Sequence, residues 1–365
     1  MGRRAKDEGS VFERKDGRWC AKYKVAGGSW QHVYRKDKSE AYKALREALA
    51  ERDKGIRPGG GRVTVGAFLD SWLESAKGTV SYRTWLNHEG IVWLHLKPAI
   101  GGKRLTRLSP REVQQLQSHK LKAGLSSGRV RLIVGTLKRA LKDAVAWGYA
   151  PRNVAAEVAA PKPYQREITV LTPEEDKRLL AAARGDRLEC VYVLAATCGL
   201  RQGECLGLRF EDVDFDRGTL KIRRTLWRNR AYPPKTPRSR RTIKLPEIAL
   251  DALKRHAESN RGGKGWLFPT KHGNPVNAQN FLRRPWKRML RKAGLPETTR
   301  FHDLKHGAAS LWLSKGVPLP VVSQVLGHRD TAITGRVYAH MIAGMDGLAA
   351  SAMDDLLSHE EDGDN

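Results

Sequence analysis

The alternation of apolar and polar positions near the N-terminus predicts a small sheet followed by one helix. Residues 10–34 contain strand-like stretches rich in Val, Phe, Trp and Tyr. Two glycine-containing pairs interrupt these stretches as hairpin turns do, Asp16-Gly17 and Gly27-Gly28. A helical pattern follows over residues 39–54, and Gly55 ends it. We therefore expect a three-stranded sheet with one helix over residues 1–58, and a glycine-rich linker at 55–62.

The next segment, residues 63–160, has helical periodicity and no strand pattern. Ser109-Pro110-Arg111-Glu112 has the form of a capping box with proline at the first helical position. Farther along, apolar residues recur at helical spacing until Gly148: Val130, Val134, Leu137, Leu141 and Val145. Basic residues fill the positions between them, as they do on a solvated helix face. Because basic residues exceed acidic ones across the whole segment, we favour a bundle that faces DNA.

The C-terminal segment, residues 167–350, is expected to be mostly helical with a small sheet. Residues 161–167 are typical of a second linker, and Thr172-Pro173-Glu174-Glu175 predicts a capped helix. Two strand-like stretches, GTLKIRR and RTIKLP, flank a basic loop at 229–240. An acidic tail follows at 351–365. The sequence thus predicts a mainly α, α+β protein with three domains and a tail.

The charge of the chain narrows the range of partners that the protein could bind. Lys and Arg number 67 against 39 Asp and Glu, a formal net charge of +28 at pH 7. Such an excess suits nucleic acid or an acidic membrane surface. No apolar run approaches the roughly 20 residues of a membrane span, and the N-terminus lacks the apolar core of a signal peptide. We expect a nucleic-acid-binding protein with no membrane partner.

The cysteines point away from a metal site. They form no CxxC pair and no His/Cys group with zinc-finger spacing: Cys20, Cys190, Cys198 and Cys205. Scattered reduced thiols of a cytosolic protein are the better interpretation.

Candidate chemistry begins in the stretch FHDLKHGAASL, residues 301–311. Two histidines, an aspartate and a lysine interrupt an apolar helical pattern there. His302 and Lys305 are three positions apart and so share one helix face. A buried face tolerates a lysine only when something anionic meets it. We therefore expect this helix to face an anion.

Three further stretches hold residues that could bind or attack such an anion. Arg201 follows an apolar helix in a glycine-bounded turn, with Glu204 three residues later, although a structural Arg–Glu pair would look the same. Lys235 lies in a Pro-rich loop between predicted strands. His328 comes just past a helix in VLGHRD, and Tyr338 follows ten residues later.

Taken together, these motifs resemble the tyrosine recombinase (phage-type integrase) family. GLRQGE resembles its first arginine box, KTPRSRR its β-hairpin lysine, and HDLKH its HxxR box; LGH and YAH resemble its third box and its nucleophile. The three-domain layout is also similar. By this resemblance, residues 1–58 are an arm-type DNA-binding domain, 63–160 a helical core-binding domain, and 167–350 the catalytic domain.

The resemblance implies a role for each candidate residue. It makes Tyr338 the nucleophile, Arg201 and Lys305 the phosphate clamps, His302 and His328 hydrogen-bonding or acid–base groups, and Lys235 the general acid. Lys305 replaces the family's arginine, which keeps the charge but loses the planar two-pronged contact. Glu204 and Asp303 are expected to orient neighbouring side chains. His306 and His340 are expected to be ordinary helix histidines.

The chemistry agrees with these roles. A tyrosine hydroxyl with a pKa of roughly 10 is a weak nucleophile and needs both proton removal and a neutralised target. Fixed cations stabilise the negative charge that grows on a phosphodiester under attack, and a lysine on a hairpin can protonate the leaving 5′ oxygen. No metal or other cofactor is needed.

The expected function is therefore site-specific recombination of double-stranded DNA through a 3′-phosphotyrosyl intermediate. The resemblance implies a homotetramer on attachment sites of a phage or mobile element, in the cytoplasm and at the nucleoid of a bacterial host. Accessory DNA-bending or directionality proteins are possible partners. Two alternatives remain open at this stage. One is an enzyme like a type IB topoisomerase, and the other is a catalytically weakened, recombinase-derived DNA-binding protein, which Lys305 alone supports.

Overall fold

A computed structural model gives the architecture of the protein. The structure describes residues 9–25, 28–162, 170–234, 239–260, 265–328, 330–332, 334, 335, 338, 347, 350, 351, 353 and 354. By contact density the chain forms two compact units, Met1–Arg166 and Glu167–Asn365.

The first unit begins with an antiparallel sheet of three strands in the order β1-β2-β3: Ser10–Glu13, Trp19–Lys24 and Trp30–Arg35. Helix α1, Lys38–Asp53, starts at Asp37, whose carboxylate accepts hydrogen bonds from the first free amides of the helix. Ala21, Tyr23 and Leu45 join the sheet to α1 in a small apolar core. The predicted sheet-plus-helix fold is thus confirmed, although Gly27 of its second predicted turn lies outside the described residues.

Five further helices build the rest of the first unit: α2, Val65–Ala76; α3, Tyr82–Ile91; α4, Lys97–Ile100; α5, Pro110–Lys122; and α6, Ser127–Ala146. The capping box predicted at Ser109 is present, and Gly148 adopts a positive φ just after α6. The stretch predicted as a linker at 55–62 is packed, because Gly60 and Gly61 are buried and the Arg57 amide donates to Gly148 O at 2.8 Å. A domain boundary near residue 60 therefore remains a prediction.

In the described residues of the second unit, helices pack around α8, and two small sheets complete the fold. Its helices, in chain order, are α7, Pro173–Ala183; α8, Glu189–Cys198; α9, Gln202–Leu206; α10, Glu247–Ser259; α11, Ala278–Phe281; α12, Lys287–Lys292; α13, Phe301–Ser314; and α14, Leu319–Leu326. α8 is buried along almost its whole length, and α7, α10 and α13 pack against it. Because α9 and α13 both contact the central helix or its end, residues far apart in sequence can meet there.

The strands of this unit form two sheets: β4, Val213–Asp214; β5, Thr219–Ile222; β6, Thr225–Trp227; β7, Arg230–Tyr232; and β8, Arg241–Lys244. The order β4-β5-β8 is antiparallel, and β6 pairs with β7 alone. The sequence predicted a loop from residue 229 onward, and this is wrong for its first residues. Arg228 and Asn229 both adopt positive φ, the geometry of a two-residue hairpin turn, so Arg230–Tyr232 folds back onto β6.

The mainly helical architecture with small antiparallel sheets confirms the predicted α+β fold class. None of the helices in the described part of the chain is long and apolar enough to cross a membrane.

Candidate active site

The site is built first around the turn between α8 and α9. Gly199 ends α8 with φ +61°, and a Cβ there would lie 2.7 Å from a methyl group of Leu326. Only glycine allows this close approach without strain. The turn then presents Arg201 as the residue that precedes α9, and its side chain keeps 36% of its surface exposed. A guanidinium held in this way can still meet a ligand from solvent.

Glu204 is the buried anion of the site. Its carboxylate accepts from the Arg201 amide at 3.1 Å and from Arg201 Nη1 at 2.8 Å. It also accepts from Nη2 of Arg241, on strand β8, at 3.0 Å. Burial by itself raises the pKa of Glu204, but the two guanidinium groups outweigh it and hold that pKa at about 2. One carboxylate is therefore ionised between two arginines.

Both arginines, together with Lys305 of α13, converge on the C-terminal end of α14. Lys305 Nζ donates to Leu326 O at 2.7 Å, and Arg201 Nη1 donates to the same oxygen at 3.2 Å. Arg241 Nε donates to Val325 O at 2.6 Å. The last carbonyls of a helix lack partners within the helix and carry its partial negative charge. This helix end thus holds three cationic side chains in one place.

Lys305 is the most deeply buried cation of the group, with 2% of its surface exposed. Burial, assisted by the nearby Arg201 guanidinium, lowers the pKa of its ammonium group to about 6. The sequence predicted that an anion must meet this lysine, and in the protein alone a backbone carbonyl does so. At pH 7 this amine is therefore mostly neutral, and a phosphate beside it would raise its pKa and favour its protonation.

His302 lies on α13 one turn before His306, and the two rings meet edge to face with centroids 4.9 Å apart. The His302 side chain keeps an exposed edge. Even so, the atoms packed around it, together with His306, Lys305 and Arg201, lower the pKa of His302 to about 4. The direction of this shift leaves the imidazole neutral at pH 7, able to donate one hydrogen bond and to accept another.

His328 follows Gly327, which ends α14 in the left-handed conformation at φ +63°. Its Nδ1 lies 2.7 Å from the hydroxyl of Thr334, which is fully buried. Burial, followed by the effects of Lys305 and Arg201, lowers the pKa of His328 to about 4. His328 is thus a second neutral imidazole, attached to the helix end that the cations hold.

Tyr338 has a different environment from the rest of the site. It is 1% exposed and packs with Ala309, Leu313, Val322 and Leu326. Its hydroxyl lies 2.8 Å from Nδ1 of His306. Burial raises the pKa of Tyr338, while burial and the nearby cations lower that of His306. Both shifts favour the neutral forms, and an imidazole whose Nδ1 carries no proton would accept the hydrogen bond of the phenol.

Known proteins share this architecture. A phage integrase family model matches residues 169–344, and a model of the phage integrase N-terminal SAM-like domain matches 64–121. A tyrosine recombinase XerC-like protein from Caldanaerobacter subterraneus subsp. tengcongensis is 29% identical, over 89% of this chain and 92% of its own length. An integrase from Streptomyces ambofaciens is 27% identical, over 96% of this chain and 97% of its own. The chain belongs to the tyrosine recombinase family.

Solved structures of recombinases agree on the fold. The Tn1549 transposon integrase in complex with a circular intermediate DNA superposes with a TM-score of 0.70 at 20% identity, covering 80% of this chain and 99% of that one. A lambda integrase dimer bound to a COC′ core site gives 0.63 at 20% identity, covering 92% and 96%. As a tyrosine recombinase, the protein is an enzyme that cleaves and joins DNA in site-specific recombination. The topoisomerase and the regulator are not favoured.

The recombinase fold brings together most of the residues that the motifs singled out. Arg201 and Lys305 share one carbonyl, His302 and His328 lie close enough for both cations to shift their pKa values, and Tyr338 is joined to the group through His306. Lys235 and His340 lie outside the described residues. Asp303 accepts hydrogen bonds from Arg300 and so caps its own helix. Within the described ranges, no group of His, Cys, Asp and Glu side chains could hold a metal ion.

Two residues of this recombinase site were missed or set aside in the sequence. In the sequence, Arg241 is one basic residue among several in KTPRSRR, and the helical pattern alone makes His306 an ordinary helix histidine. A signal for Arg241 was present, since strand alternation puts it on the same face as the buried Ile243. A cation on the buried face of a strand needs a partner. Nothing in the sequence pairs His306 with Tyr338.

Proposed function

We propose that Tyr338 attacks a DNA phosphodiester to form a 3′-phosphotyrosyl link, and that the strand is then joined to a second duplex. The observation that carries this proposal is the meeting of Arg201 and Lys305 on the carbonyl of Leu326, two residues before His328. Cations and neutral imidazoles gathered at one point suit a phosphate whose charge grows during the reaction.

Arg201 and Lys305 would bind the non-bridging oxygens of that phosphate. The Arg201 side chain remains partly exposed, and its guanidinium can exchange the contact with a neutral carbonyl for a two-pronged contact with an anionic phosphate. Lys305 would take up a proton as the phosphate arrives, because an adjacent anion favours the charged amine. His302 and His328, neutral at pH 7, would donate hydrogen bonds to the same oxygens or move protons.

The attacking hydroxyl must first leave its present environment. With 1% of its surface exposed, Tyr338 cannot touch a phosphate while it is packed in its apolar cluster. Release from His306 would free the hydroxyl for an in-line attack, in which its proton passes to a neutral imidazole, the Tyr338 oxygen bonds to phosphorus and the bond from phosphorus to the 5′ oxygen breaks. We assign protonation of the leaving 5′ oxygen to Lys235 on the strength of the family resemblance.

The partner we propose is duplex DNA carrying attachment sites of a phage or other mobile element. The net charge of +28 supports a polyanionic partner. Among the structural relatives, one lambda integrase is a dimer on a core site and another a tetramer bound to a Holliday junction. We infer that this chain also assembles as a tetramer on two duplexes, in the cytoplasm and at the nucleoid of its bacterial host, and that DNA-bending or directionality proteins assist it.

We also propose that the N-terminal sheet binds a second, arm-type DNA sequence through the face that α1 leaves uncovered. Phe12, Trp30 and Tyr34 are each nearly half exposed on that face. Lys22 Nζ lies 4.4 Å from the centre of the Trp30 ring. Proteins that read DNA with strands place them in a groove, and cations and aromatic rings on one face of a sheet suit that use.

The main test is a search for the covalent intermediate. Duplexes would be selected from a random library by binding, nicked near the centre to trap the intermediate, and run on a denaturing gel with the protein. We expect an adduct that survives denaturant and whose tryptic map places the DNA on Tyr338. Selected duplexes that bind tightly yet never give an adduct would refute strand cleavage.

The arm-binding surface has its own test with a charge-matched control. Lys22→Ala/Lys24→Ala removes two charges from the uncovered face of the sheet, while Lys43→Ala/Arg46→Ala removes two from exposed positions on α1. We expect only the first pair to lower the log–log salt slope of binding to the distal sequence, by about 2. Equal effects of the two pairs would mean that the sheet face is not the binding surface.

A further inference from the structure

Arg241 is the least exposed arginine of the candidate site and the one that the family motifs do not assign. Its side chain is 5% exposed, against 36% for Arg201. The guanidinium donates hydrogen bonds within the protein, to both oxygens of Glu204, to Ser239 O and to Val325 O. No surface is left from which it could bind DNA directly.

The charges around Glu204 suggest what Arg241 does. One carboxylate faces two guanidinium groups, and both form close ion pairs with it. If Arg201 were its only partner, the pair would be neutral overall and Arg201 would be held to the carboxylate. With Arg241 present, Glu204 is balanced from the buried side, so the positive charge of Arg201 remains available to a phosphate.

Arg241 also fixes the helix end that carries His328. Its Nε donates to Val325 O at 2.6 Å, one residue before the carbonyl that Arg201 and Lys305 share. The fit is close, because a Cβ on Gly327 would lie 2.7 Å from Nη1 of Arg241. A planar guanidinium can reach a carboxylate and a carbonyl at once, which a single ammonium cannot do.

We propose that Arg241 is a positioning residue of the recombination site: it balances Glu204 and holds the end of α14, so that Arg201 can bind the scissile phosphate beside His328. This inference rests on the proposed function, because it concerns the same phosphate. Arg241 would act without touching the DNA. It connects strand β8, just after the basic loop, to two catalytic candidates, Arg201 and His328.

Kinetic variants test the charge balance. In single-turnover cleavage of a nicked core site, we expect Arg241→Gln to lower the rate about 10- to 100-fold, the range usual when a group that orients catalytic ligands is removed, with little change in core-site Kd. Arg241→Lys should recover part of the loss because it retains the charge. Glu204→Gln/Arg241→Gln should cleave at least as fast as Arg241→Gln alone, since the unbalanced carboxylate is gone.

Arg224→Gln serves as the matched control for a merely structural role. Arg224 is also a mostly buried arginine of this unit, and it pairs with the buried Asp212. We expect this variant to lose thermal stability as Arg241→Gln does but to keep the parental rate constant at a temperature where it remains folded. Equal rate losses in the two variants, or independent losses at Glu204 and Arg241, would overturn the proposal.

A measurement without DNA separates this inference from the proposed function. In histidine-labelled protein, we expect Arg241→Gln to raise the NMR-measured pKa of His328, from which it removes a nearby cation, and to speed hydrogen exchange of the His328 amide, which is bonded to Ser323 O. Arg224→Gln should change neither. Unchanged His328 signals in Arg241→Gln would refute positioning. Changed His328 signals in Arg241→Gln, together with a parent protein that never forms an adduct, would uphold the positioning role of Arg241 and refute strand cleavage.

Discussion

The basic side chains of the candidate site and its proposed nucleophile, Tyr338, have opposite environments. Arg201 pairs with Glu204, and both Arg201 and Lys305 donate to the Leu326 carbonyl at the end of α14, so the proposed phosphate-binding half is assembled before DNA arrives. Tyr338 lies in an apolar cluster, and its hydroxyl is bonded to His306. Burial is what raises the pKa of Tyr338, and no cation of the clamp counters it.

This difference indicates which half must move. A preassembled cluster of basic side chains needs little rearrangement when the phosphate binds, and Lys305 gains its proton at that point. A buried phenol must leave its apolar contacts, and in that position it remains protonated. We therefore expect DNA to change mainly the position of Tyr338, because Arg201 and Lys305 are already in place and Lys305 has only to gain a proton. The following variants probe the two halves separately.

The largest effect is expected at the nucleophile. Tyr338→Phe removes only the attacking oxygen and should abolish the covalent adduct while core-site binding persists. Tyr192→Phe is the matched control, because Tyr192 is also a fully buried tyrosine of this unit and its hydroxyl has no partner among the described residues. A denaturant-resistant adduct formed by Tyr338→Phe would show that another residue attacks the DNA.

The next effect concerns the buried lysine of the cation cluster. Lys305→Met should slow cleavage on the order of 100-fold, as removal of a charge-stabilising donor usually does, and it should raise the melting temperature. The folded-state pKa of about 6 lies below the ordinary 10.5, so the unfolded chain binds a proton that the folded chain gives up. That stability cost is complete below pH 6 and disappears as the pH rises towards 10.5.

Calorimetry at pH 7 and pH 10 and single-turnover cleavage check both halves of this prediction. Lys292→Met is a suitable control, since Lys292 also donates to a backbone carbonyl but from an exposed position. Parental cleavage by Lys305→Met would remove Lys305 from the phosphate site.

A third, smaller effect is a pH dependence of binding. Because Lys305 has a pKa of about 6 in the free protein and gains charge beside phosphate, binding should take up a proton above pH 6. The core-site Kd of the parent should fall as the pH is lowered from 8 to 6, by up to about tenfold per unit for one proton. Lys305→Arg, always charged, lacks this contribution. Identical pH slopes in titrations of the two proteins would contradict the shift.

The smallest effect is expected at the hydrogen bond between the Tyr338 hydroxyl and His306. His306→Phe keeps a ring beside His302 but removes the acceptor for the Tyr338 hydroxyl. A hydrogen bond contributes about 0.5–1.5 kcal/mol, so adduct formation should become about two- to tenfold faster if the bond stores the nucleophile. A rate measured on the nicked core site that falls instead would mean that His306 acts as a base in the reaction.

The sequence predicted the ends and faces of elements better than the contacts between them. The helix with His302 and Lys305, the turn at Arg201 and the position of His328 after a helix could all be derived from spacing, because capping and periodicity are local. The pairing of Arg241 with Glu204 spans 37 residues and that of His306 with Tyr338 spans 32. Such contacts depend on how α8, α13 and β8 pack, which no local pattern encodes.

Local patterns also misjudged the hairpin at Arg228 and Asn229. Type I′ turns are signalled most strongly by Asn-Gly or Asp-Gly. The pair Arg228-Asn229 contains an asparagine but no glycine. The strand β7 was therefore predicted as loop.

The burial of Tyr338 has a consequence for the genome that houses this protein. A protein with a charge of +28 will occupy duplex DNA almost anywhere, because every base step offers the same phosphates. Nearly all of its encounters are with sequences that must stay intact. In the proposed mechanism, keeping the Tyr338 oxygen inside a core built by Leu313 and Val322 separates the binding of a phosphodiester from its cleavage. Chromosome integrity would then depend on an apolar pocket as much as on sequence recognition.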